Sequence, residues 1–209
     1  MTISSGRQNQ SVGTRDVTNA ADAEGAQPAV LQTDDESRPR AGRWLAVARI
    51  ATGLVFLWAF ADKLFGLGFS TPSARAWIHG GSPTSGFLSH ADLGPFAPAF
   101  QAMAGSAVLD WLFMLGLLGV GVALIIGIGL RIAAVAGTAM MLLMWAAEWP
   151  LARLTTGGEP SGSTNPLVDY HIIYALMMIV LALTEAGRTW GLGRWWQQQK
   201  VVQQHGWLR

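Results

Sequence analysis

Between Asp110 and Arg131 the chain runs for twenty residues, Trp111–Leu130, without a charged side chain. A bilayer's hydrocarbon core is about 30 Å thick and takes about 20 helical residues to cross. Inside it every backbone N–H and C=O must find its partner within the protein. The stretch therefore predicts a membrane-spanning helix and commits its neighbours to the same solvent. Gly116, Gly119, Gly121, Gly127 and Gly129 punctuate it, and Ala123/Gly127 form a small-xxx-small pair. Such residues favour helix poorly in water but let helices approach closely in lipid.

Three further segments share this character. Arg43–Gly68 is the first span, with an uncharged core at Ile50–Ala61, Arg49 two turns in and Asp62–Lys63 near its far end. Arg49 is expected to snorkel toward the headgroups. Asp62 and Lys63 point about 100° apart on a helix, so at least one must turn into the bundle or toward water. Ile132–Ala147 follows the second span with almost no loop, which predicts an antiparallel hairpin. Pro166–Ala186 is the fourth span, with Asn165 as its cap and Pro166 at its first helical position. The expected fold is an all-α membrane protein, a four-transmembrane-helix bundle over residues 43–187. Only 13% of the chain is charged, against about a quarter in soluble domains.

The remainder divides readily. Residues 1–40 are polar, lack apolar periodicity and read as a disordered cytoplasmic tail. No apolar run follows the initial Met before Trp44, so no signal peptide is expected. Residues 69–105 are a loop too apolar for a free connector, with short helices expected around Ser73–His79 and Ala97–Gly105. Residues 188–209 place Arg188, Arg194 and Lys200 among Trp190, Trp195 and Trp196, a pattern suited to a membrane surface. Four spans put Arg38, Arg40, Arg43, Arg131, Arg188, Arg194 and Lys200 on one side and only Lys63, Arg75 and Arg153 on the other. The positive-inside rule then sets both termini in the cytoplasm.

The chain has no cysteine, which excludes disulfides, cysteine-ligated clusters and thiolate nucleophiles. The histidines His79, His90, His171 and His205 are dispersed, which argues against a haem held between two helix histidines. A net charge of +1 and the lack of a basic patch interleaved with aromatics give no basis for a nucleic-acid partner. Lipid is the one partner that composition dictates.

In this topology the polar side chains meet at one end of the bundle. Lys63, Asp62, Asp169 and His171 are the candidate catalytic residues; Tyr170, Tyr174, Glu148 and Trp145 are the candidate substrate-binding ones. Ionisable groups inside a membrane are costly and mark functional sites by default. A His and a carboxylate at the mouth of an aromatic and Met-lined groove can bind a quinone head group and exchange protons with it. The bland reading stands beside it: a Lys63–carboxylate pair that fixes helix register, and a Tyr174/Met178 stripe that is bundle packing. His171, Asp169, Glu148 and Asp62 are metal-capable side chains, but no HExxH or ExxH spacing is present, and no metal is assigned.

RIATGLVFLWAFADKLFGLGFSTP, GGSPTSGFL, LRIAAVAGTAMMLLMW and NPLVDYHIIYALMMIVLALTEAGRTWGLGRWW, in this order, resemble the DoxX family over residues 43–196. The family includes the DoxD-type small membrane subunit of thiosulfate:quinone oxidoreductase. The resemblance implies a multi-pass protein of the bacterial cytoplasmic membrane. For thiosulfate-oxidising members it implies a partner subunit and electron transfer from thiosulfate to quinone, with no covalently bound cofactor. Other members are described as membrane scaffolds for redox or sulfur-transfer partners. Two readings thus compete, a quinone-dependent oxidoreductase subunit and a non-catalytic anchor or assembly factor, with a homo-oligomer as the alternative to a partner subunit. A transporter has less support, because the charge-free stretches of spans two to four leave no continuous polar path.

Overall fold

The computed structural model describes Thr2 and residues 30–208, with side chains described from Arg40 onward in the helical region. The regular elements among the described residues are helices: α1 (Val30–Phe65), α2 (Ser85–Ser89), α3 (Ala97–Met103), α4 (Ala107–Ile126), α5 (Leu130–Glu148), α6 (Tyr170–Leu183), α7 (Gly193–Gln197) and α8 (Lys200–Gln204). Arg40–Phe65 within α1, α4 and α5 are each long and apolar enough to cross a membrane, and α6 is a shorter apolar helix. This is the expected four-helix membrane bundle. Of the tail over residues 1–40, residues 1 and 3–29 lie outside the described residues, while residues 30–39 continue α1 as helical backbone.

Packing follows helical spacing. Met114, Leu117, Val120 and Leu124 on α4 face Leu130, Ala134 and Met141 on α5 and Ala175, Met178 and Leu181 on α6, with Phe56 of α1 closing the core. The opposite faces are just as apolar: Leu112, Leu115, Val135 and Leu143 are 63%, 55%, 73% and 61% exposed. A helix greasy on both faces suits lipid on the outer one. Close approach is made by glycine. A methyl on Gly121 would lie 2.7 Å from Leu57 Cγ and 3.0 Å from Leu57 N, so α1 and α4 cross where neither has bulk. The small-residue contact between α1 and α4 is made by Gly53 and Gly121, while Gly127 makes its close approach to Gly187.

Arg49 does not snorkel. It is fully buried, because the end of α4 needs it. A helix leaves its last four carbonyls without intrahelical partners, and here all four are answered. Ala123 accepts from Gly127 N at 2.8 Å and from Ile128 N at 3.2 Å. Arg49 Nη1 donates to Leu124 O and, at 2.7 Å, to Ile125 O. Leu192 N donates to Ile126 O at 2.9 Å. Arg49 Nη2 also donates to Trp190 O at 2.9 Å and Thr189 O at 3.4 Å, tying the chain that leaves α6 to the same point. That chain passes close because Gly187 and Gly191 have no side chain; a methyl on Gly191 would meet Ile126 O at 2.9 Å.

The hairpin between α4 and α5 forms as expected, turning through Gly127 and Gly129 in left-handed conformation. The fourth span is corrected. Asn165 and Pro166 do not start it; Asn165 Oδ1 instead accepts from Leu167 N and Val168 N in a turn. The helix begins at Tyr170 and is capped by Asp169, whose Oδ1 accepts from His171 N at 3.1 Å and Ile172 N at 3.3 Å. A carboxylate gains both the cap bonds and the positive end of the helix dipole. At 14 residues α6 is about 21 Å long, short of the ~30 Å hydrocarbon core. Exposed Leu167 and Val168 extend its apolar length.

Two stability outcomes follow. Arg49→Met leaves four carbonyls without this donor and lowers the unfolding free energy in detergent by about 3 kcal/mol. Arg49→Lys recovers only part of this, since one ammonium cannot reproduce the planar fork. Gly121→Leu forces α1 off α4 at a cost of about 1–3 kcal/mol, read in the same thermal unfolding measurement.

Candidate functional site

The bundle end opposite Arg49 carries the polar side chains singled out from the sequence, and the structure sorts them into three separate tasks. Two carboxylates anchor loops. Asp62 is buried at the end of α1 and accepts from Phe69 N at 3.2 Å, Ser70 N at 3.0 Å and Ser70 Oγ at 2.6 Å. Asp110, buried in the first turn of α4, accepts at Oδ1 from Ser82 Oγ at 2.9 Å, Thr84 N at 3.0 Å and Thr84 Oγ1 at 2.6 Å. Each negative charge is satisfied by donors from the loop over residues 66–84, so both are spent on holding that loop down.

Lys63 is left without either of them. Among the described residues no ion pair includes it, so the expected Lys63–carboxylate register pair does not form. Its Nζ lies 5.9 Å from the centroid of the Phe113 ring, within cation–π range. Lys63 is the charged residue lining a cavity of about 470 Å³, walled by Phe87 and Leu88 of α2, Phe100 and Met103 of α3, and the facing sides of α4 and α5. Leu112 and Leu143 line it while being exposed on the outer surface, so it opens sideways between α4 and α5. A mostly apolar pocket of this size with one or two polar groups suits a small organic ligand.

The third group is compact. Glu148 ends α5, and Asp169, Tyr170 and His171 open α6. Tyr170 Oη donates to Glu148 Oε1 at 2.9 Å. His171 is fully buried, with Nδ1 2.8 Å from Asp169 Oδ2 and Nε2 3.9 Å from Glu148 Oε1. The Tyr170 and His171 rings lie 4.0 Å apart. A second cavity, of about 380 Å³, is lined by Glu148, His90 and Asp92 and shares Phe87 and Ala147 with the Lys63 cavity. Tyr174 packs edge-on to Phe56 at 6.4 Å, and Met178 is buried in the core, as bundle packing. Trp145 stands 6.1 Å from Trp149, whose left-handed backbone ends α5. Glu148, Asp169, Tyr170 and His171 meet, while the contacts described for Asp62, Lys63, Tyr174 and Trp145 are with other groups.

A family model described as DoxX matches residues 44–149, half of the chain. The chain belongs to the DoxX family. With its apolar spans, this makes it an integral membrane protein. No curated protein and no solved structure matches the chain. The DoxX match takes in Asp62, Lys63, Asp110, Trp145 and Glu148, and both walls of the Lys63 cavity. It ends before α6, so Asp169, Tyr170, His171 and Tyr174 lie beyond the matched residues.

Sequence reasoning overlooked the two residues that shape the cavity's rim, Ser82 and Thr84. Only the placement of two hydroxyl residues beside Pro83 hinted that this turn would seek an acceptor. With Asp110 as its anchor, Asp110→Ala should leave α4 helical but release the rim. Amide hydrogen exchange at residues 82–88 then rises by about tenfold or more, the loss of roughly 1.5–3 kcal/mol of charge-assisted bonding.

Proposed function

We propose that this DoxX protein is the integral membrane subunit of a redox system, passing electrons from a sulfur compound such as thiosulfate to a quinone held in the Lys63 cavity. Its setting is the bacterial cytoplasmic membrane, with both termini on the cytoplasmic side and a partner subunit or second copy as its companion. The observation that carries this reading is Lys63, without an ion pair among the described residues, in an otherwise apolar cavity that opens between α4 and α5. A quinone is itself a polar head on a lipid-soluble tail. Its tail would lie against Phe100, Phe113 and Met140, entering from lipid past Leu112 and Leu143, while the ammonium donates to a ring carbonyl.

Proton balance supports a role for the neighbouring group. Joining two thiosulfates as tetrathionate releases electrons but no protons, whereas a quinone takes up one proton for each electron. The Glu148 cavity, which shares Phe87 and Ala147 with the Lys63 cavity, would give those protons a route from the aqueous side.

The anchor reading has its own support in the far end of the bundle. Trp190, Trp195 and Trp207 are 61%, 54% and 62% exposed beside Arg194 and Lys200, a surface fit for headgroups or for a docked redox partner. The two readings separate in one experiment. In the purified complex, Lys63→Met should weaken binding or reduction of a soluble quinone analogue about 10- to 100-fold, the worth of one charge-assisted hydrogen bond. Trp195→Ala with Trp207→Ala should leave that rate unchanged. Full quinone activity in the Lys63 variant, with loss of the partner in the Trp variant, would favour the anchor.

A further inference from the structure

We propose that Glu148 and His171, with Asp169 behind them, form a binding site for a divalent transition-metal ion at the end of the bundle opposite Arg49. One ligand atom from each of these three residues lies within 4.8 Å of the others. The decisive observation is the state of the imidazole. Asp169 holds its carboxylate in place by capping α6, and its second oxygen faces His171 Nδ1 at 2.8 Å. An ionised carboxylate only accepts, so Nδ1 carries a proton and, in the neutral imidazole, Nε2 is the free lone pair. That Nε2 is buried, has no hydrogen-bond partner among the described residues, and lies 3.9 Å from Glu148 Oε1.

With the imidazole neutral, two electron-rich atoms face each other across this gap with no hydrogen bond between them. A cation satisfies both atoms. Bonds from a metal ion to imidazole nitrogen and carboxylate oxygen are each about 2.0–2.2 Å, so at a tetrahedral angle the two donors stand about 3.4 Å apart, which a small turn of the exposed Glu148 side chain reaches from the observed 3.9 Å. The Asp169–His171 contact is then the outer partner that fixes tautomer and ring orientation in metal-bound histidines. Tyr170, donating to Glu148 Oε1, does the same for the carboxylate. The Glu148 side chain is 39% exposed, which leaves an entry path and open positions for water or another ligand. One imidazole and a carboxylate, in a chain without cysteine, suit zinc, iron(II) or manganese(II) rather than copper(I). The helix-borne spacing motif absent from the sequence is replaced by two helix ends brought together, α5 from one side and α6 from the other.

The test uses the untagged full chain in detergent, stripped of metal and titrated with cobalt(II) as a visible-absorption probe, followed by zinc(II) displacement. One ion per chain is expected. Glu148→Gln and His171→Asn should each weaken binding by more than about 100-fold, and Asp169→Asn, which keeps the helix cap, by about 10- to 100-fold. His205→Ala should leave the affinity unchanged. Because Glu148 lies at the surface, its variant should elute and melt as the parent does, which separates ligand loss from misfolding. Failure of the parent chain to bind cobalt, or equal binding by the Glu148 and His171 variants, would overturn the proposal. Neither quinone nor electron donor enters the measurement, so such a failure leaves the Lys63 cavity reading intact.

Discussion

The structure depends on the guanidinium of Arg49. Helix ends in a membrane protein are expensive wherever water is scarce, because a carbonyl left without a donor there costs several kcal/mol. α4 ends where α6 delivers its outgoing chain, and one planar fork serves both: Leu124 and Ile125 on one side, Thr189 and Trp190 on the other. The charge itself is tolerated because four carbonyl dipoles surround it at the negative end of a helix. With α1, α4 and the exit from α6 fastened at this point, the glycine contact between Gly53 and Gly121 has a fixed crossing to form around.

The opposite end uses charge differently. Asp62 and Asp110 accept from loop amides and hydroxyls, which turns a long apolar connector into a lid for the bundle. Their satisfaction by neutral donors explains why Lys63, adjacent in sequence to one of them, stands alone against Phe113. Lys63 and Glu148 line different cavities, which share Phe87 and Ala147 in their walls.

Much of the fold was legible in the chain. The charge-free run after Asp110 became α4, shifted by one turn toward its N-terminus, and the Gly127–Gly129 turn made the hairpin. The start of α6 was misplaced because Asn165 and Pro166 form a plausible helix signature, whereas Asp169 caps better through its two backbone donors. The site was legible as a list of residues and as one end of the bundle, but not as geometry. An aspartate before a greasy run reads as a partner for the helix dipole, and nothing local says that its bonds go to Ser82 and Thr84, 28 and 26 residues away.

What the sequence determined by itself was the solvent, the number of apolar helices and which end holds the ionisable groups, because each follows from hydrophobic length and the order of charges along the chain. Tertiary structure decided the pairings. Whether Arg49 reaches lipid headgroups or carbonyls, whether Lys63 meets a carboxylate or a ring, and whether His171 Nε2 faces Glu148 depend on helix rotation and on loop donors remote in sequence. Those are set by close packing among α1, α4, α5 and α6, a property of the assembled bundle that no single segment carries.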